Sequence, residues 1–338
     1  MVSEQTPTFT GYQAARTGAA LRDEGDHARL WLGGEDRIAF LQRISTNDVR
    51  LVPGQGTVTV LTSPTARIQA VLTALAMPAG LLLLAGPGQG PALFNTLRTQ
   101  IFFNDKVNLE GRGGALAQFS LLGPQAAGLL AQIAGPVDDL PLFGWRTLAI
   151  AGVDVTVQRH EGLNNGGFIL LIPSPAALAV KTALLRAGAV ALDEEAYHVL
   201  RVEAGVPAPG CELTEQVNPL EAGLRRFCDD HKGCYTGQEI IARQITYDKV
   251  TTHLVGLLTE ELAAPDAKII ADGKQVGWVS SAVHSVALDR PIALALVRRP
   301  HHDPGTPLVV QSGDQAIAAI VTTLPFDVEP EPRLSAAN

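Results

Sequence analysis

Cysteine is scarce in this 338-residue chain, which has only Cys211, Cys228 and Cys234. An odd number without Cys-x-x-Cys spacing argues against a disulfide framework and against a self-contained zinc or iron-sulfur site, so no metal ligand set is expected. Long apolar runs are missing too. The greasiest stretch, residues 80–86 around Leu81, Leu82, Leu83 and Leu84, is far short of a membrane span. Residues 1–8 show neither a positive leader nor an apolar core region, so the expectation is a soluble, cytoplasmic protein with no membrane partner. A basic excess is also absent. The net charge of −8 argues against the basic stripe of a direct nucleic-acid partner, and any effect on RNA is expected to be indirect.

What remains is globular material. Hydrophobic residues make up 46% and charged residues 18%, which gives ample apolar surface to bury, and the length suggests two or three domains. Residues 58–62, 81–85, 117–122, 153–158 and 168–172 are short apolar or β-branched runs bounded by Gly, Pro or Asn, and read as strands. Residues 89–102, 176–187 and 194–203 have helical apolar spacing. The mixture predicts an α+β body over residues 1–250, with a break into two subdomains near 110–120. Beyond it, 253–258, 268–270, 275–281, 292–297, 307–310 and 316–322 are short strands parted by turns such as Asp272-Gly273 and Pro304-Gly305. They predict a small β-barrel or sandwich over 251–327. Residues 1–10 read as loosely held and 328–338, with Pro330 and Pro332, as a flexible tail.

The sharpest functional feature is the octapeptide Lys232-Gly233-Cys234-Tyr235-Thr236-Gly237-Gln238-Glu239. Thr236 and Glu239 have capping-box spacing, predicting a helix start near Gly237. Cys234 would then sit just outside the positive end of that helix beside Lys232, a setting that favours a thiolate and makes both residues catalytic candidates. A second reading stays open, in which Cys234 is a small buried residue at a tight turn. Arg225, Arg226, Lys232, Arg243 and Lys249 form a cationic neighbourhood suited to an anionic ligand such as a folate tail, or simply a solvated face. Arg201 and Glu203 are two apart on a predicted helix and therefore diverge, so at least one must reach another segment, either as part of an ion pair or toward a ligand. Residues 81–90 imitate a nucleotide loop, but the last glycine comes one residue early and Pro87 and Pro91 lack N–H groups. Trp278 reads as a packing aromatic, and the adjacent His301 and His302 do not share one face as metal ligands.

The octapeptide resembles the signature of the YgfZ family of folate-binding proteins. The stretches 200–207 and 218–224 are similar to the segment leading into it. Residues 277–285 and 290–295 resemble the C-terminal barrel shared with the glycine-cleavage T-protein, and 119–124 a strand and turn of that superfamily. The resemblance covers nearly the whole chain. It implies two related α+β portions around a central folate pocket, closed by a C-terminal β-barrel. It further implies tetrahydrofolate as cofactor, bound with help from Arg201, Glu203, Tyr235, Gly237, Gln238, Glu239 and Arg243. The implied role is building or repairing iron-sulfur clusters in client proteins, including those that thiolate tRNA, with Cys234 as the working thiol. The alternative is an aminomethyltransferase-like one-carbon enzyme. Against it, Gln69 and Ala70 stand where T-protein enzymes carry paired aspartates, and an amide is no base near neutral pH. Ile169 follows Gly167-Phe168 where those enzymes carry a pterin-reading glutamate.

Overall fold

The computed structural model describes residues 9–163 and 165–327. The chain opens with α1 (Phe9–Thr17) and β1 (Ala20–Asp23), then β2 (His27–Gly33), α2 (Arg37–Ile44), β3 (Gly56–Thr62), β4 (Ile68–Met77), β5 (Gly80–Pro87), α3 (Gly90–Thr99) and β6 (Asn108–Gly111). Strands β2 to β6 make an antiparallel sheet in the order β3-β4-β5-β2-β6. In β4 the alternation is plain: Ala70, Leu72, Ala74 and Ala76 join the core that also holds Phe40 and Leu41 of α2 and Leu93 and Leu97 of α3. β5 is buried on both faces, with Leu81 and Leu83 in that core and Leu82 and Leu84 in another. Its leucines therefore run without a polar break.

The second half of the body contains β7 (Leu116–Leu122), α4 (Ala126–Ile133), β8 (Trp145–Ile150), β9 (Val153–His160), β10 (Gly167–Pro173), α5 (Ala177–Arg186), β11 (Val190–Ala191) and α6 (Glu194–Glu203). Its sheet runs β11-β1-β7-β10-β9-β8. The N-terminal β1 is a member, antiparallel to β7 and parallel to β11, so the chain visits the second sheet before it builds the first. The two sheets meet through Leu75, Leu82, Leu84 and Leu171, flanked by Trp31, Met77, Leu116, Trp145 and Ile169. Trp145 Nε1 donates to the carbonyl of Ala76 across this seam, at 3.1 Å.

Helix α6 has the start and stop its sequence predicts. The Asp193 side chain accepts from Ala196 N at 2.8 Å, and Glu194 and Glu195 occupy the first turn. At the far end Gly205 has φ +66°, Val206 N bonds Arg201 O at 2.8 Å and Gly205 N bonds Val202 O at 3.0 Å, which is a Schellman stop.

After α7 (Gln238–Thr246), strands β12 (Thr252–Thr259), β13 (Lys268–Ala271), β14 (Lys274–Ser285), β15 (Arg290–Arg298), β16 (Pro307–Ser312) and β17 (Gln315–Thr322) close into a six-stranded barrel, β12-β15-β14-β13-β16-β17. Closure leaves no free edge. Leu257, Ile269, Val279, Ala295 and Val310 fill its interior. Leu296, with Leu254 and Trp278 beside it, packs the barrel against Val58, Val60 and Ile68 of the body. The architecture is the predicted one, an α+β body with a C-terminal β-barrel. Residues 1–8 and the expected tail at 328–338 lie outside the described residues, while Phe9 and Thr10 already belong to α1. Among the described residues no helix is long and apolar enough to cross a membrane.

Candidate functional site

The octapeptide lies against the C-terminal end of α2, where carbonyls are left without helical partners. Lys232 is buried and meets them, its Nζ donating to Gln42 O at 2.6 Å and to Ser45 O at 2.5 Å. Burial pushes this ammonium down to about 8. Gln42 returns the contact, its Nε2 donating to Lys232 O at 3.2 Å. The Lys232 ammonium also sits 5.2 Å from the centre of the Tyr235 ring. Lys232 therefore clamps the loop onto α2 instead of standing free beside the thiol. Tyr235 is buried with Ala66, Leu220, Cys228 and Ile241, and that burial raises its phenol. Cys228 in the same cluster is pushed up to about 11 by burial, whereas Cys234 is exposed.

The predicted capping box is absent, which corrects the sequence reading. The residue capping α7 is Gly237, at φ +82° and without any side-chain cap. The main chain of Thr236 is instead held by tertiary contacts, its N–H donating to Arg43 O at 3.2 Å and its carbonyl accepting from Thr62 Oγ1 at 2.5 Å. Glu239 turns outward and pairs with Arg243 at 2.7 Å, both exposed. Gln238 Oε1 accepts from Tyr235 N at 3.3 Å, tightening the turn that carries Cys234.

At Gly237 the loop backbone lies tight against the body. A Cβ there would lie 2.7 Å from Ser63 O and 3.0 Å from Ala66 Cα, in a backbone region that disfavours side chains. Gly237→Ala is therefore expected to cost about 2 kcal/mol, seen as a lower urea midpoint; an unchanged midpoint would show that the turn yields freely. The segment so approached leads straight into β4, the stretch singled out for its missing carboxylates. Gln69 is exposed there and Ala70 is buried in the core beneath the sheet.

The expected cationic cluster is largely neutralised. Arg225 pairs with Asp230 at 2.5 Å, Arg226 with Glu161 through two contacts of 2.7 Å, and Arg243 with Glu239. Lys249 lies 5.5 Å from the centre of the Tyr247 ring. Two of these pairs are local, five residues apart for Arg225 and Asp230 and i,i+4 for Glu239 and Arg243, whereas sequence spacing gave no warning of Glu161, which lies 65 residues from Arg226.

Arg201 and Glu203 sit elsewhere, at the junction of α6 with the barrel. Arg201 donates to Glu212 Oε2 at 3.1 Å and to Ser281 Oγ at 2.6 Å, and Glu212 Oε1 accepts from the same Ser281 hydroxyl group's oxygen at 2.6 Å. Glu203 accepts from Tyr12 at 2.8 Å and from Ser285 at 2.6 Å. Both side chains are buried and tie helix, barrel and α1 together. Ile169 lies on β10, directly opposite Ser120 of β7 and Gln158 of β9. Gln118 and Gln158 are fully buried, and their Oε1 atoms have no partner. No group of three or more metal-ligating side chains occurs among the described residues.

Residues 6–232 match the family described as the GCVT N-terminal domain, and residues 253–327 match the glycine cleavage T-protein C-terminal barrel domain. A chloroplastic protein of Arabidopsis thaliana that carries a transferase name is 31% identical over 91% of this chain and 71% of its own length. An aminomethyltransferase of Chlorobium chlorochromatii is 28% identical, over 93% of this chain and 88% of its own. The crystal structure of the glycine cleavage system aminomethyltransferase T from Bartonella henselae superposes with a TM-score of 0.84 at 22% identity, covering 94% of this chain and 88% of that one. The chain belongs to the glycine-cleavage T-protein family.

Proposed function

We propose that this protein is a YgfZ-type, tetrahydrofolate-binding accessory factor that works through Cys234 in the assembly or repair of iron-sulfur proteins in the cytoplasm, and so supports tRNA modification indirectly. The observation that carries the reading is the placement of Cys234: exposed, on a turn pressed by Gly237 against the Ser63–Ala66 turn that leads into β4. The turn that this loop meets leads into a strand whose Gln69 and Ala70 provide no carboxylate. Family membership and the aminomethyltransferase names of relatives support a folate ligand.

The fit of this chain to a folate is specific in one respect. Ile169 supplies no acceptor, but the neighbouring buried amide oxygens of Gln118 and Gln158 lack partners, and an N–H edge of a pterin would satisfy them. Arg201 and Glu203 are committed within the protein, so their contribution is to hold α6 in place. Tetrahydrofolate at about 100 times its dissociation constant should then stabilise the fold by roughly 2.7 kcal/mol, and an unshifted melt would remove the ligand from the reading.

The cysteine is tested separately. In a deletion strain, Cys234→Ala is expected to fail to restore client iron-sulfur enzymes while melting like the parent, because the side chain is exposed. Full restoration would overturn the role of the thiol. The names of the relatives favour a second reading, aminomethyl transfer. Turnover of an aminomethylated carrier protein with tetrahydrofolate would establish it; Gln69 and Ala70 lead us to expect none.

A further inference from the structure

The seam between the two sheets of the body is not filled throughout. A cavity of about 340 Å³ opens between them, lined by Trp31, Met77 and Leu82 from one sheet, Leu171 and Thr156 from the other, and the connecting turn that carries Arg112. Its size and its apolar walls with few polar groups suit a small organic molecule, and subdomain seams are a common place for such sites. Along the strands it lies at the Leu116, Leu171 and Thr156 end of the second sheet, while the opposite end, at Leu122, packs in the cluster shared with Val283 and Ile292 of the barrel. Cys234 and its loop take no part in it.

The polar equipment is lopsided. The Arg112 guanidinium lies 5.6 Å from the centre of the Trp31 ring, forming one cationic and aromatic corner. One of its terminal nitrogens pairs with Glu110 at 2.7 Å, yet Nε is shielded from solvent and has no acceptor. The Nε–H is thus one donor still open to a carboxylate oxygen on a guanidinium whose Nη2 is already engaged by Glu110. The one side-chain hydroxyl among the lining residues is that of Thr156. Trp31, Met77 and the leucines supply flat and adaptable surface for a ring.

We infer that this seam cavity is a second small-molecule site, taking an aromatic carboxylate with its ring among Trp31, Met77 and Leu171 and its carboxylate on Arg112. The inference is independent of the role given to Cys234. Because the turn bearing Arg112 joins the two halves, with Arg112 N bonded to Arg29 O at 2.7 Å and Leu116 N to Arg112 O at 2.9 Å, an occupant would brace one sheet against the other.

The full chain can be titrated with 2-naphthoate and with the neutral 2-naphthalenemethanol, following tryptophan emission and ligand-detected NMR. Naphthoate is expected to bind about tenfold tighter than the alcohol, and Arg112→Gln to erase that difference while leaving the alcohol unaffected. Ala115→Trp, at an exposed lining position, is expected to block both probes without lowering the melting temperature. Saturating tetrahydrofolate should leave naphthoate binding unchanged. No saturable binding, equal affinity for acid and alcohol, indifference to both substitutions, or competition by tetrahydrofolate would each overturn the inference.

Discussion

Replacing Arg201 by methionine is expected to destabilise the protein by about 3–5 kcal/mol, because it leaves Glu212 as a buried charge without its cation. The Glu212 side chain has no solvent exposure and that of Arg201 only 4%. The Glu212 carboxylate would keep the Ser281 hydroxyl and the N–H of Ala208, which do not carry the opposite charge. Adding Glu212→Gln should recover a good part of the loss, so chemical denaturation of the two single variants and the double gives a large coupling term. A role for Arg201 in gripping folate makes a different forecast: near-native stability with weakened tetrahydrofolate binding. A loss below about 1 kcal/mol in Arg201→Met would remove the structural account given for this residue.

Acid should weaken the fold earlier than carboxylate titration alone would bring about. Burial holds the imidazole of His160 down to about 4, with Nδ1 accepting from Gly162 N at 3.0 Å and Nε2 without a partner. The unfolded chain takes up that proton near 6.5. Between those two values the unfolded state binds a proton the native state refuses, so stability falls as pH drops through the window, by up to about 3 kcal/mol. Glu24 faces the same imidazole and favours its charge. Burial alone would raise the Glu24 carboxyl, yet the charges of His27 and Arg22 and hydrogen bonds from Ser120 and Gln118 bring it below its usual value. Its stabilising share is therefore lost at still lower pH, in the same direction. His198 and His253 are lowered by burial as well and steepen the parent profile. The His160 share is read as the difference between the parent and His160→Asn, whose amide oxygen can replace Nδ1 as the acceptor for Gly162. Parallel denaturation profiles from pH 7 to 4.5 would exclude His160 as the cause.

Much of the fold could be read directly because it is local. The barrel strands are short, β-branched and separated by turn dipeptides, so each declares its own ends. Helix α6 carries both its cap and its stop within a few residues. By contrast, four-residue β1 has too few positions for any periodicity, and its place in the second sheet depends on pairing with Leu122 and Val190, far along the chain. The Thr236 and Glu239 pattern is equally local but misleads, since the competing bonds come from Arg43 and Thr62.

The amino-acid order by itself determined the α+β body, the barrel and the existence of a thiol between two glycines, because those follow from composition, period and turn chemistry along neighbouring residues. Only the folded chain decided what surrounds that thiol. The carbonyls at the end of α2 take up the Lys232 ammonium, and Glu161, Asp230 and Glu239 neutralise the nearby arginines. Charges find partners by distance in space, and the folded chain brings Lys232 to Gln42 across 190 residues and Arg226 to Glu161 across 65.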